Sequence, residues 1–152
     1  VIKANAAHMP IQDKSVQSII TSPPYWGLRE YNIHDVEWPD GWRGQLGNEP
    51  TPKLYISHLM LVMAECWRVL RDDGVCFVNL GDTYGGSGQG GYGNWWKHLP
   101  AGALPRTARR SKIKPKSMCL IPERFAIGCF ESGWIIRNSI IWHKPNGIPS
   151  SV

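Results

Sequence analysis

The chain has 152 residues, with 17 Lys and Arg against 12 Asp and Glu, a formal charge of +5, and 42% hydrophobic residues, enough for one packed core. A charged fraction of 19% together with eight Trp excludes wholesale disorder, because so apolar a chain gains more by burying surface than it loses in entropy. No apolar run approaches the roughly 18 residues of a spanning helix, and the N-terminus lacks a secretory pattern, so a cytoplasmic protein with no membrane partner is expected.

In chain order, the β-branched run from Ser15 to Thr21 reads as a buried strand that stops at Pro23 and Pro24. A loop follows from Trp26 to Pro50. Thr51 and Pro52 then supply an N-cap and an N1 proline. Ile56, Leu59, Met63, Cys66, Trp67 and Leu70 recur at helical spacing until Asp72-Asp73-Gly74 ends the pattern. Val75 to Leu80 is a second strand, continuous in apolar character as in a sheet covered on both faces. Strand, helix, strand predicts a parallel α/β unit. The Gly-rich stretch from Gly85 onward runs through Trp95 and Trp96 into a basic segment. Together, 85–118 should form a flexible loop with no core of its own. Pro122 opens a second helix over Glu123 to Ser132, with Gly133 as its C′ residue, and Trp134 to Trp142 reads as a third strand. The chain starts on Val1 and ends on Val152 without a clear stop, as a piece of a longer protein would.

Cys66, Cys76, Cys119 and Cys129 show none of the close pairing that zinc or redox motifs use, so buried thiols and no metal site are expected. The charge surplus sits in one place. Arg106, Arg109, Arg110, Lys112, Lys114 and Lys116 lie between Pro105 and Met118 with no acidic residue among them. Such a loop is either a solvated excursion or a set of cations able to neutralise phosphates and release counterions. Glu30, Asp35, Glu37, Asp40 and Glu49 cluster toward the N-terminal side and would steer a polyanion away from that face.

The informative residues are Ser22-Pro23-Pro24-Tyr25, directly after the first strand, where α/β sheets mount their ligands. Two prolines fix φ and remove two backbone donors, leaving carbonyls that can only accept hydrogen bonds. The serine hydroxyl can also accept, and the Tyr25 ring offers a flat face on which a base can stack. An exocyclic amine on a nucleobase is a poor nucleophile because its lone pair is delocalised into the ring. Acceptors on its N–H groups return electron density to nitrogen. A duplex base reaches such a wall only when turned out of the stack, and a neighbouring aromatic ring offsets part of the unstacking cost.

Thr21-Ser22-Pro23-Pro24-Tyr25-Trp26, followed by Gly27-Leu28-Arg29, resembles the catalytic motif of the S-adenosylmethionine-dependent DNA amino-methyltransferases, in the serine-first form typical of cytosine-N4 enzymes. Asn79 to Tyr84 and Ile141 to Asn146 agree with the same family in the expected order. The resemblance covers nearly the whole chain. It implies an α/β fold, part of a Rossmann-like methyltransferase fold with a mainly parallel sheet that stops before the main cofactor-binding loop. Residues 1–152 would then be a partial catalytic domain.

The resemblance further implies S-adenosyl-L-methionine as cofactor, double-stranded DNA as substrate and a restriction endonuclease as companion. Ser22, Pro23, Pro24 and Tyr25 would be catalytic, with the target amine held by Ser22 and the Pro23 carbonyl. Asn5, standing where relatives have an acidic residue, and Asp82 would face the cofactor. His143 and Lys144 would join the basic loop on DNA. Asp82 to Gly88 imitates a cofactor glycine loop, but no helix pattern follows it, so a flexible active-site loop is expected there instead. Adenine-N6 specificity, or a non-catalytic module that only binds nucleic acid, are the alternatives.

Overall fold

The computed structural model describes residues 1–28, 31, 34–85 and 113–145. The parallel unit expected from the sequence is present: strand β1 (Val16–Thr21), two short strands β2 (Val36–Glu37) and β3 (Arg43–Gly44), helix α1 (Pro52–Val69), strand β4 (Leu70–Val78) and helix α2 (Ile121–Glu131). β1 pairs in parallel with β4, Ile19 opposite Cys76 and Thr21 opposite Val78, while β2 and β3 form a small antiparallel ribbon. The core is thus an α/β unit with a parallel pair joined through a helix, the connection that parallel strands require.

Helix α1 begins where its own residues dictate. The Thr51 hydroxyl accepts from the Leu54 N–H at 3.2 Å and Pro52 occupies the first turn. It ends one step from the next strand, since Leu70 already has extended backbone (φ −74°, ψ 137°). The strand therefore starts earlier than the apolar run at Val75 suggests. Arg71 to Gly74 form an irregularity inside β4, between the pairs Val16–Leu70 and Ser18–Val75. Gly74 is required there, because a Cβ would lie 2.7 Å from the Leu70 Cγ.

The buried stripe of α1 also differs from the expected one. Tyr55, His58, Leu59, Met63, Cys66 and Val69 are buried, whereas Trp67 is 53% exposed. The stripe is rotated because α1 contacts two layers. Its C-terminal half, through Met63 and Cys66, packs with Ile19, Cys76 and Val78 of the sheet and Cys129 of α2. Its N-terminal half, through Tyr55 and Leu59, meets Trp26, Cys119 and Ile121. Trp67 instead rests edge-on against Trp134, with ring centroids 4.9 Å apart. The helices approach closely at Gly128, where a Cβ would sit 3.2 Å from the Met60 sulfur.

An N-terminal arm is strapped to the outer end of α1. Arg68 donates to the Met9 and Ile11 carbonyls at 2.9 and 2.8 Å and pairs with Asp13, and Glu65 accepts from Arg68 and from the Met9 N–H. The hydrogen-bonded Arg68 guanidinium, aided by the Met9 N–H, holds the Glu65 carboxyl down at about 2.

All four cysteines are free thiols. Burial pushes Cys129 up to about 12 and Cys76 up to about 11, so both stay protonated and inert at neutral pH. Only one face of the parallel pair is covered among the described residues; on the other, Ile20 is 81% exposed and Phe77 52%. The third strand expected over Trp134 to Trp142 makes no ladder, and Ile135, Ile140, Ile141 and Trp142 are exposed. β propensity alone does not make a strand: its N–H and C=O groups need a neighbouring backbone, and no described strand pairs with this one. Among the described residues no helix is long and apolar enough to cross a membrane.

Candidate active site

The Ser22–Tyr25 segment leaves the carboxyl edge of β1, whose ladder closes on the Asn79 N–H donating to the Thr21 carbonyl at 2.9 Å. Ser22 is exposed, and Pro23, Pro24 and Tyr25 are half-buried. The Ser22 hydroxyl lies 3.4 Å from the Tyr25 hydroxyl, at the outer limit of a hydrogen bond. The Tyr25 ring spans the end of the neighbouring strand and rests on Gly81, where a Cβ would come within 2.9 Å of the ring. Glycine is needed at 81 because the ring occupies the space of any larger residue. Tyr25 is therefore supported on one face without being enclosed in the core.

Behind the segment the backbone is tied at successive points. The Tyr55 hydroxyl donates to the Pro24 carbonyl at 2.7 Å, the Trp26 indole N–H donates to the Glu49 carbonyl at 2.8 Å, and the Gly27 N–H donates to the Gly47 carbonyl at 2.8 Å. Gly47 has φ of +96° and presses against the segment, since a Cβ there would lie 3.1 Å from the Tyr25 carbonyl. Trp26 packs in the core, as its apolar setting suggests.

Glu49 is fully buried; its carboxylate accepts from the Gly47 N–H at 2.8 Å and meets His58 Nδ1 at 2.9 Å. Burial raises the Glu49 carboxyl above its ordinary range against the pull of His58. His58 Nε2 lies 3.3 Å from Asp40, and the ring stacks with Trp38 and Trp42 at centroid distances of 4.0 and 5.3 Å. Asp40 is lowered, chiefly by the Trp42 N–H and then by His58. The Tyr55 hydroxyl is raised by burial and by the nearby Glu49 charge, so it remains a proton donor.

Of the expected acidic face, Asp35, Glu37 and Asp40 are exposed, and only Glu49 departs from it, because the fold buries it. Asp40 and Glu49 serve His58 and the loop backbone, and Glu30 lies outside the described residues. The sequence pattern does not single out Tyr55, His58 or Gly47, and it offers Glu49 only as surface charge. The available signal was a Tyr and a His at helical spacing on the buried stripe of α1, polar groups that must find partners once covered.

The remaining candidates are dispersed. Asn5 is exposed in a tight turn, its Oδ1 accepting from the Ala7 N–H at 2.9 Å. Asp82 accepts from the Leu120 and Ile121 N–H groups, both at 3.0 Å, and so caps α2, whose own N-cap side chain makes no such bond. Lys114 and Lys116 are exposed where the chain returns to Gly85, with the Lys116 N–H donating to the Gly85 carbonyl at 2.9 Å. Tyr84 forms a single antiparallel bridge with Met118. Arg106, Arg109, Arg110 and Lys112 lie outside the described residues, as does most of the expected 85–118 loop. His143 and Lys144 are exposed, and nothing described joins them to Ser22.

A family model described as DNA methylase, covering N6 and N4 methyltransferases, matches residues 16–152. The chain belongs to this DNA methylase family. Its α/β unit with a parallel strand pair is therefore part of a Rossmann-like methyltransferase domain. The methylase chain is 42% identical over 139 residues to the Type II methyltransferase M.Cfr9I of Citrobacter freundii, covering 91% of this chain and 43% of that protein. It is 41% identical to the Type II methyltransferase M.XycI of Xanthomonas campestris pv. cyanopsidis over the same shares. With M.SmaI of Serratia marcescens it shares 34% identity over 149 residues, 98% of this chain and 48% of that relative. The chain thus spans less than half the length of these relatives. No solved structure matches it. The Ser22–Tyr25 segment lies inside the span matched by the methylase family, and Asn5 lies before it.

Proposed function

We propose that this chain carries the acceptor-holding part of an S-adenosylmethionine-dependent DNA methyltransferase acting on the exocyclic N4 amine of a cytosine turned out of the duplex. The observation that carries this reading is the state of the acceptors at the edge of β1. Ser22 is exposed, and no hydrogen bond among the described residues reaches the Pro23 carbonyl, while Tyr25 is propped beside them on Gly81. An amine donating its N–H groups to Ser22 Oγ and the Pro23 carbonyl becomes more nucleophilic, and the extruded base stacks on Tyr25. Pro24 gives its carbonyl to Tyr55 and acts by fixing the backbone. Serine in first place, rather than an acidic or amide side chain, supports cytosine over adenine.

The cofactor, when bound, supplies an electrophilic methyl group on sulfur. Asn5 and Asp82 have the donor and acceptor chemistry that its polar edge would need. Asn5 is exposed, with its Oδ1 taken by Ala7 and its NH₂ left to donate. Asp82 is adjacent to Gly81 and retains a second lone pair on each oxygen beyond its bonds to α2. Transfer would break the methyl–sulfur bond, leaving a neutral thioether, and the protein's part would be to position and polarise the amine through Ser22 and the Pro23 carbonyl, the amine proton passing to solvent. Residues 1–152 act as a partial catalytic domain. Arg106, Arg109, Arg110, Lys112, Lys114, Lys116, His143 and Lys144 contact DNA phosphates, and the Type II naming of the relatives points to a companion restriction endonuclease in the cytoplasm.

The test uses the full-length protein and labelled S-adenosylmethionine with duplexes that offer only cytosine or only adenine as acceptor. N4-methylcytosine is the expected product, and Ser22→Ala lowers kcat about a hundredfold while leaving DNA affinity within twofold. Label recovered only in N6-methyladenine overturns the cytosine assignment. DNA binding without any methyl transfer overturns the enzymatic reading.

A further inference from the structure

The proline pair leaves one backbone freedom unaccounted for. A proline ring locks φ but not ψ, and ψ of Pro24 decides where its carbonyl points and in which direction the chain delivers Tyr25. The Pro24 carbonyl is met from behind by the Tyr55 hydroxyl at 2.7 Å, which is among the shorter hydrogen bonds of the site. Tyr55 is fully buried on the 18-residue helix α1 and packs with Trp26, Leu59, Cys119 and Ile121. A phenylalanine would fill the same apolar space. The phenol oxygen needs a partner to be buried at all, and the partner it has is the peptide between Pro24 and Tyr25.

The bonding is graded along the loop. Pro24, Trp26 and Gly27 are tied to α1 or to residues 47–49, whereas Ser22 is exposed and the Pro23 carbonyl, the other group that would meet a substrate, accepts no hydrogen bond among the described residues. We propose that Tyr55 is a positioning residue of the acceptor loop, its hydroxyl fixing the Pro24 peptide so that the Pro23 carbonyl and the Tyr25 ring keep a single mutual orientation. This proposal rests on the methyltransferase reading above and deepens it. Tyr55 touches no reacting atom. It restricts the loop to the geometry in which a stacked base presents its amine to both acceptors, and small misplacements of such groups cost large factors in rate.

The experiment is Tyr55→Phe in the full-length protein, with Leu59→Ala as a comparison that loosens the same cluster without touching the hydrogen bond. Tyr55→Phe is expected to lower kcat about tenfold while KM for DNA and for cofactor stay within twofold. Leu59→Ala is expected to lower the melting temperature more than Tyr55→Phe does, yet to keep kcat within twofold of wild type at a temperature where both variants are folded. A fluorescent cytosine analogue at the target position reads stacking on Tyr25 directly, and its quenching should change in Tyr55→Phe alone. Wild-type kcat and unchanged quenching in a folded Tyr55→Phe protein overturn this proposal and leave the methyltransferase reading intact. A loss of kcat that follows melting temperature equally in both variants also overturns it, since Tyr55 would then be only a packing residue. A wild-type protein that transfers no methyl group overturns both.

Discussion

The two described helices of this methylase chain begin in opposite ways. α1 is capped by the residue that precedes it, Thr51, with Pro52 preset for the first turn. α2 follows Leu120, a non-glycine residue at φ of 56° with no side-chain cap, and its amides are satisfied by Asp82, 38 and 39 positions earlier in the chain. A local cap affects the helix it starts. A distant one couples the helix to whatever its own segment holds, and Asp82 directly follows the glycine on which Tyr25 rests. The N-terminus of α2 and the Tyr25 ring therefore share one short stretch of backbone just after β4.

That contrast can be broken experimentally, and the largest effect is expected at Asp82. Asp82→Ala removes two hydrogen bonds from a carboxylate at a helix N-terminus and should cost about 2 kcal/mol of stability by denaturant titration. It should also reduce methyl transfer, because the 81–82 backbone loses its anchor. Unaltered activity in that variant would mean that α2 and Tyr25 are independent. Thr51→Ala should cost about 1 kcal/mol and leave kcat unchanged, the signature of a purely local cap.

The smallest effect concerns the strap on the outer end of α1. Glu65, held at about 2, has a folded-state value below its ordinary one, so its contribution is fully present above about pH 4.5 and disappears as pH falls toward 2. Melting temperature measured across that window should decline less steeply in Glu65→Gln than in wild type. Parallel curves for the two proteins would remove Glu65 from the account of acid unfolding.

Much of the frame was legible in the residues. β1, α1 and the apolar run of β4 follow from patterning and capping among near neighbours, and Pro23 and Pro24 mark where the first strand must stop. What misled was any feature that depends on a distant partner. Trp134 to Trp142 has strand composition but no described neighbour to pair with. Ile56 and Trp67 fit the helical period as well as Tyr55 and His58 do, and only the layers placed around α1 select between them. Asp40 and Glu49 look like surface charge until the fold buries one and joins both to His58.

For the candidate site the division is sharper. The order Ser22-Pro23-Pro24-Tyr25 is written in the chain, and with it the rigid φ angles, the missing donors and the family likeness, because these are properties of adjacent residues. Which carbonyl stays open and which is already taken is a different kind of fact. It depends on Tyr55, 31 positions away, arriving beneath Pro24 once α1 lies against the sheet, and a hydrogen bond between groups so far apart exists only after the chain has folded.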